Sequence, residues 1–395
     1  MRVKLAVTVL VFCVAALLSL GLVMLYSSSM AESGSRLVRV QLMWSLLGIL
    51  ASIVGVLVDY RLLKKLALPL FAIAVVLLCL VFVPHIGIHR KGASRWIGYH
   101  SLMLQPSEFA KLALIITLAW YCERFQRQMP TFKRGVLLPG MIIAVVLGLI
   151  FREPDRGSTI LLAGVSGSML LIAGVRWRFI LPPLFAALAG LAVSLARDPM
   201  RRARIMSWWE LEKHKSGVGY QAYEAMLALG AGGWTGRGLG NSRQKLGFVP
   251  EQHTDFIFSI IGEELGLIAT VLVVLGFVAI VISGIYIAMR SPDTFGMLLG
   301  SGISFMIGMQ ALINIGVVTS ALPNKGLPLP FISYGGSNLV LMLSSIGLLL
   351  SIARQAREPE RVEARDSQKQ SGRRAKGGHN PFQAPVPGLV GNKGS

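Results

Sequence analysis

Residues 5–26 read LAVTVLVFCVAALLSLGLVMLY, twenty-two positions without one Asp, Glu, Lys or Arg. A helix rises about 1.5 Å per residue, so this run covers the roughly 30 Å hydrocarbon core of a bilayer. Working outward, charge-free stretches recur at 40–58, 66–83, 136–151, 157–175, 179–196, 297–322 and 327–353. Two more, 102–121 and 256–289, are as long but carry a few ionisable residues. The pattern predicts an all-α polytopic membrane protein of ten transmembrane helices, with a large extracytoplasmic loop, 197–255, between helices 7 and 8. After the first run comes Tyr26-Ser27-Ser28-Ser29-Met30 rather than a small-residue cleavage site, which predicts a retained helix instead of a removed signal peptide.

The composition agrees. Of 395 residues 53% are apolar and only 15% charged, and the mean hydropathy is +0.63, a balance that leaves too little charge for the surface of a soluble domain. With the N-terminus inside, the cytoplasmic short segments hold Arg2, Lys4, Arg61, Lys64, Lys65, Arg124, Arg127, Lys133, Arg134, Arg176, Arg178 and Arg290. The opposite short loops hold fewer cations: Arg36, Arg39, Arg90, Lys91, Arg95, Arg152, Arg156 and Lys325. That bias places both termini in the cytoplasm. The net charge of +20 is scattered over the loops, not gathered in a stripe or basic domain, which argues against nucleic acid. Loop 197–255 alone has nine Lys or Arg against six Asp or Glu, suited to an anionic ligand at the outer face or to anionic lipid headgroups. Cys13, Cys79 and Cys122 offer neither an outside disulfide nor a CxxC spacing.

The polar, aromatic and glycine-rich sequence lies in 84–106, 197–255 and 323–336, so chemistry is expected outside. Residues 1–353 read as one transmembrane domain and 354–395, polar and rich in Gly, Pro, Ser and Gln, as a disordered cytoplasmic tail. Arg201-Arg202-Ala203-Arg204-Ile205-Met206-Ser207-Trp208-Trp209 suits a segment at the membrane–water interface. The glycines of 230–240 lack the strand, helix and GK[ST] of a phosphate loop and fit a close-approach turn. From Asp255 to Met289 the chain is unbroken, about 50 Å as a straight helix against a core of about 30 Å, so its first turns should project outward. On it Asp255, Ser259, Glu263 and Gly266 share one face.

An ionisable group in or near a span is costly unless it faces a cavity or a partner. Glu108 and Lys111, at i and i+3, read equally as a buried ion pair joining helices and as a functional pair, with Lys111 able to reach a ligand phosphate. Asp155, in Glu153-Pro154-Asp155-Arg156-Gly157-Ser158, reads best as an N-cap. Asp255 follows His253-Thr254 at the end of a basic loop; spacing alone leaves a first-turn acid and a functional acid evenly balanced. The histidines have no metal-ligand spacing.

The stretch Asn314-Ile315-Gly316-Val317-Val318-Thr319-Ser320-Ala321-Leu322-Pro323-Asn324-Lys325-Gly326-Leu327-Pro328-Leu329-Pro330-Phe331-Ile332-Ser333-Tyr334-Gly335-Gly336-Ser337-Asn338 resembles the signature of the SEDS family of shape, elongation, division and sporulation proteins. The resemblance extends in order over nearly all of 1–353, through Gly92-Ala93-Ser94-Arg95-Trp96-Ile97, Gln105-Pro106-Ser107-Glu108 with Lys111, Pro154-Asp155 with Gly157-Ser158, and His253-Thr254-Asp255-Phe256-Ile257-Phe258. Gly238-Leu239-Gly240-Asn241-Ser242-Arg243-Gln244-Lys245 and Ile261-Gly262-Glu263-Glu264-Leu265-Gly266 are more like the division branch than the elongation branch. Glu153 and Arg156 depart from the family's usual Gln and apolar residue, and Ser320 stands where Gly, Thr or Arg is common.

The resemblance implies a ten-span glycosyltransferase of the inner membrane, at the division septum, that polymerises lipid II into glycan strands. Its implied partners are lipid II, the undecaprenyl-pyrophosphate glycan, membrane lipid, a class B penicillin-binding protein of the FtsI type and other divisome membrane proteins. Asp255 is then the catalytic carboxylate, a general base for the acceptor hydroxyl in an inverting displacement. Lys111, Arg95, Lys325, Arg243 and Lys245 are candidates for the leaving pyrophosphate, with Trp96, Ser333 and Glu108 as further substrate-side residues. Asp155, Glu263 and Asn314 are supporting residues, Glu263 as a neighbour able to raise the pKa of Asp255. The resemblance fixes no cofactor; Mg²⁺ or another divalent cation is compatible with the leaving group, although no acidic cluster demands one. The competing functions are a lipid II flippase or transporter, in which Asp255 variants lose lipid movement instead of polymer, and a noncatalytic divisome scaffold, in which the buried acids are dispensable.

Overall fold

The computed structural model describes residues 3–29, 34–90, 93–99, 102–197, 199–214, 217, 219–243 and 253–376. Its helices are α1 (Val3–Ser29), α2 (Arg36–Leu57), α3 (Leu62–Leu80), α4 (Pro106–Arg124), α5 (Leu138–Arg152), α6 (Arg156–Ile172), α7 (Trp177–Arg197), α8 (Pro199–Trp209), α9 (Tyr220–Ala231), α10 (Ile257–Met289), α11 (Thr294–Val318) and α12 (Gly336–Lys376). Among the described residues, seven segments are long and apolar enough to cross a membrane: α1, α2, α3, Lys133–Arg152 around α5, α10, α11 and the Gly336–Ala356 part of α12; α6 is apolar but shorter. The molecule is a mostly helical, multi-pass membrane protein.

α11 is the central post. It packs against α4, α6, α10 and α12, and its buried positions include Gly296, Gly300, Ser301, Gly302 and Ser304. Small residues let helix backbones approach where lipid supplies no hydrophobic drive. At one end of the bundle, the corner between α2 and α3 is clasped to the α10–α11 turn. Tyr60 Oη donates to Asp293 Oδ2 at 2.8 Å and Arg61 Nε at 2.9 Å, while Asp293 Oδ1 caps α11 by accepting from Gly296 N–H at 2.7 Å. Burial pushes the Asp293 carboxyl up, but the bonds from Gly296, Arg61 and Tyr60 outweigh it and hold the group below its ordinary value.

Four sequence expectations are corrected. The chain is not purely α: β1 (Gly87–Arg90), β2 (Ala93–Tyr99) and β3 (Leu102–Leu104) form an antiparallel sheet in that order, with Ile88 opposite Trp96 and Ile97 opposite Leu104. These short runs cannot build helix turns enough to satisfy their backbone, and a hairpin ladder does so locally. For the same reason the span expected at 102–121 begins as a strand and becomes helical only at Pro106, the first helical position. The stretch expected as a span at 327–353 is irregular up to Gly336, because Pro328 and Pro330 remove backbone donors. The helical backbone of α12 itself runs on to Lys376; 377–395 lie outside the described residues.

The fourth correction concerns α10. It is two helices meeting at Gly266, whose φ of 78° and ψ of −173° are non-helical. A break strands backbone donors and acceptors, and the glycine-rich stretch before it takes them up. Leu267 N–H donates to Gly233 O at 2.9 Å, and Arg237 and Gly238 N–H donate to Glu263 O and Glu264 O, each at 3.0 Å. The glycine-rich stretch is therefore a plug in a helix break. Side chains reinforce it: Ser242 Oγ donates to Glu263 Oε2, Arg243 N–H to Glu263 Oε1 at 3.0 Å, and Ser27 Oγ on α1 to both oxygens of Glu264 at 2.7 Å. Both glutamates are fully buried.

A Cβ at Gly266 would collide with the backbone of Gly236 and Trp234 in a conformation L side chains avoid. Gly266→Ala is expected to cost about 1–3 kcal/mol from backbone strain alone, read as a lowered thermal midpoint in detergent. It should also increase proteolytic cutting within 232–243, whereas Gly230→Ala, whose Cβ meets nothing within 4 Å, should do neither.

Candidate active site

The segment between α11 and α12 has few backbone partners of its own, so side chains from the surrounding helices hold it. Asn314 Nδ2, near the end of α11, donates to Asp255 O at 2.8 Å and Leu327 O at 2.7 Å. One turn earlier, Gln310 Nε2 donates to Pro328 O at 2.9 Å and its Oε1 accepts from Lys111 Nζ at 3.0 Å. Ser333 Oγ donates to Thr254 O and accepts from Leu329 N–H at 2.8 Å. Tyr334 N–H donates to His253 O at 2.9 Å. Gln41 of α2 closes the far end, giving Nε2–H to Ser333 O and accepting from Gly335 N–H, both at 3.3 Å.

These bonds join the turn 253–256 to the segment 326–335. Asp255, partly exposed in the turn before α10, sets its carboxylate against Gly326; a Cβ there would strike Oδ2. The absence of a side chain at 326 is what lets this carboxylate lie where it does. Lys325 is the next residue along, partly buried. Burial, and then the nearby Arg156, hold its ammonium below the ordinary lysine value.

Glu108 and Lys111 meet at 2.8 Å with side chains 4% and 0% exposed, and Asn338 Nδ2 of α12 donates to Glu108 Oε2 at 2.9 Å. The pair thus ties α4 to α11 and α12 from within as a buried ion pair. On the other flank Asp155 Oδ1 accepts from Ser158 N–H at 3.1 Å as the N-cap of α6. Gln105 Nε2 reaches its Oδ2 at 3.5 Å, and the Gln105 N–H donates to Ser337 Oγ at 3.2 Å. Arg95 on β2 donates to the carbonyls of Glu153 at 3.0 Å and Pro154 at 2.8 Å, so it braces the α5–α6 elbow. Trp96 beside it is partly buried in the sheet. Glu153 is 0% exposed, and among the described residues neither carboxylate oxygen has a hydrogen-bond partner. Burial, then Asp155, push it up to about 8, with Arg95 pulling the other way.

Of the residues read from the sequence, Asp255, Asn314, Ser333 and Lys325 converge on the 253–256/325–333 junction. Glu108 and Lys111 sit beneath it through Gln310, and Asp155 and Arg95 flank it. Glu263 is bound to Ser242, Arg243 and Arg237, the last at 3.5 Å, as part of the α10 plug. Arg243 is exposed at the edge of that plug, and Lys245 lies outside the described residues. Sequence reasoning passed over Gln310, Gln41 and Asn338: each is an amide inside an apolar run, and an uncharged polar side chain there was the available signal. Among the described residues, no group of three His, Cys, Asp or Glu side chains is placed to hold a metal.

The sequence pattern of the FtsW, RodA and SpoVE family, described as cell cycle protein, matches residues 8–358. The probable peptidoglycan glycosyltransferase FtsW of Trichlorobacter lovleyi is 40% identical over 351 residues, covering 87% of this chain and 92% of that protein. The stage V sporulation protein E of Bacillus subtilis is 37% identical over 347 residues, covering 86% and 95%. Among solved structures, a chain of a peptidoglycan synthase complex that coordinates polymerization and crosslinking aligns with a TM-score of 0.75 at 30% identity over 88% of this chain and 98% of that one. The rod shape determining protein RodA of Thermus thermophilus aligns with a TM-score of 0.66 at 30% identity, covering 88% and 96%.

Two outcomes follow from the buried charges. Lys111→Met leaves Glu108 buried without its cation and should cost about 3–5 kcal/mol, whereas Lys111→Met with Glu108→Leu should recover most of the loss in the same unfolding assay. Glu153 keeps a proton in the folded chain that the unfolded chain releases above its ordinary 4.5. Folding therefore loses ground as pH climbs from there to about 8. Glu153→Gln should raise the thermal midpoint relative to the parent more at pH 9 than at pH 6; a difference independent of pH would show the carboxyl does not titrate in this range.

Proposed function

The chain belongs to the FtsW, RodA and SpoVE family of cell cycle proteins, and from that premise we propose how it works as a peptidoglycan glycosyltransferase. It polymerises lipid II, with Asp255 as the general base. The acceptor's sugar hydroxyl gives its proton to the Asp255 carboxylate as the oxygen attacks the donor's anomeric carbon. The bond from that carbon to the pyrophosphate oxygen breaks, and undecaprenyl pyrophosphate leaves with the electron pair. One displacement inverts the anomeric centre and requires no covalent enzyme intermediate. Cations at Lys325 and Arg243 favour the charge that develops on the leaving group.

The observation that carries this reading is the carboxylate of Asp255 lying against Gly326, next to Lys325, on a junction held by Asn314 and Ser333. A base is effective only if its position is fixed before the reaction, and both chain segments around Asp255 are pinned by side chains from α11 and from the 326–335 segment. Glu108, Lys111, Asp155 and Arg95 serve by holding the frame. α4, α6 and α7 join the seven long apolar segments as further spans, giving ten in all with both termini cytoplasmic and the junction outside. A class B penicillin-binding protein of the FtsI type receives the strand for cross-linking at the septum, a partnership supported by the resemblance to a synthase complex that couples polymerization to crosslinking.

A positioned base is worth about 10² to 10⁴ in rate. Asp255→Asn in the purified full-length protein, with its penicillin-binding partner, should therefore lower lipid II polymerisation by at least about a hundredfold at unchanged thermal midpoint. Gly326→Ala, which displaces the carboxylate while keeping it, should also slow polymerisation. Near-parental polymer from Asp255→Asn would overturn the assignment.

A further inference from the structure

The turn 319–325 leads directly into Gly326, against which the Asp255 carboxylate lies. Its own bonding is thin. Ser320 and Leu322 N–H donate to Val317 O at 3.0 Å and Gly316 O at 2.8 Å, and no backbone group of 323–326 is hydrogen-bonded among the described residues. Ser320 sits at φ 56°, a left-handed conformation that a side chain disfavours and that persists only where the surroundings over-determine it. Two side-chain bonds supply what the turn lacks, and both come from the 197–255 loop. Trp208 Nε1–H of α8 donates to Ser320 O at 2.8 Å. Asn324 Nδ2 donates to Gln221 Oε1 of α9 at 3.1 Å. The paired indoles of α8 are thus divided: Trp209 is 79% exposed, as an interfacial anchor would be, while Trp208 is half-buried and gives its one donor to the turn. α9 in its turn packs along α10, so closely that a Cβ at Gly232 would strike Gly262 O. It therefore bridges the 319–325 turn to the helix into which the Asp255 turn leads.

We propose that Trp208 and Gln221 are positioning residues for the transfer: they fix the two ends of the 320–324 turn and so hold Gly326 and Lys325 in register with Asp255. This rests on the glycosyltransferase reading above and deepens it. Neither residue touches the reacting atoms. A catalytic group has to be held within about 0.5 Å of its working place, and Gly326 has no side chain with which to fix itself. Asn314 secures Leu327 on one side; on the other, the tethers are Trp208 at Ser320 and Gln221 at Asn324. With either released, the turn pivots about Leu327, Gly326 moves off the carboxylate and Lys325 goes with it. A base out of place weakens the transition state and leaves ground-state binding alone, so the loss falls on kcat and not on KM.

The test uses the purified full-length protein with its penicillin-binding partner. Trp208→Phe keeps the ring and removes the donor, and Gln221→Leu removes the acceptor. Each should lower kcat for lipid II polymerisation about fivefold, the worth of one neutral hydrogen bond, with KM and thermal midpoint near the parent's. Gln221→Glu, which keeps an acceptor, should recover the rate lost in Gln221→Leu. Added to Gly326→Ala, either change should cost little more, because both displace the same residue. A second readout needs no turnover: in limited trypsin digestion followed by mass spectrometry, the Lys325–Gly326 bond should be cut about fivefold faster in Trp208→Phe and Gln221→Leu. Unchanged kcat, a loss carried by KM, equal losses in Gln221→Leu and Gln221→Glu, losses that multiply with Gly326→Ala, or unchanged cutting would each overturn the proposal. The two readings fail separately. Slower turnover and faster cutting in Trp208→Phe beside an active Asp255→Asn defeats the base and leaves the tethers standing; an inactive Asp255→Asn beside parental kcat in Trp208→Phe defeats the tethers alone.

Discussion

The amide of Asn314 gives its two hydrogens to two chain carbonyls, those of Asp255 and Leu327, and the junction between the 253–256 turn and the 326–335 segment depends on it. Irregular backbone close to a bilayer is tolerated only when its polar groups find partners within the protein. Prolines at 323, 328 and 330 deny the 319–335 segment a helix, so its carbonyls must be met from outside. Asn314, Gln310 and Ser333 meet them, and Gln310 is itself oriented by Lys111, which is neutralised by Glu108, which is held by Asn338. The buried ion pair is the far end of a chain of contacts whose near end is the turn carrying Asp255.

The same rule operates at the break in α10. There the polar groups freed at Gly266 are met by the backbone of 233–238, and two glutamates that would be intolerable in an apolar helix become anchors for Ser242, Arg243, Arg237 and Ser27. Both devices use a side chain or loop from one part of the chain to complete backbone bonding in another. Both therefore set positions instead of merely adding stability.

The helices were legible because hydropathy over twenty residues is a strong signal, and each of the ten apolar stretches contains a helix. The sheet at 87–104 was not, since seven mixed residues such as Ala93–Tyr99 carry no clear period. The kink was hidden because one glycine inside an apolar run is ordinarily tolerated; its partner loop was quoted as a close-approach turn without a target. Glu108 and Lys111 were legible as a pair from their spacing, but the Gln310 amide that Lys111 bonds lies 199 positions away, and no local spacing carries that. Asp155 read correctly as a cap because capping is local. Asp255 was visible only as an acid without an apolar task; that Gly326 makes room for it is a contact across 71 positions of sequence, which no local pattern carries.

The division of α10 at Gly266 also bears on the lipid around it. A continuous helix of 33 residues exceeds ordinary bilayer thickness by about 20 Å, a mismatch relieved elsewhere by tilt, membrane deformation or self-association. Here the excess is turned aside at one residue and fastened to a loop, so the bundle need not lean to shelter it. Membranes of unequal depth would then be accommodated at the elbow, leaving the crossing angles of the other helices as they are.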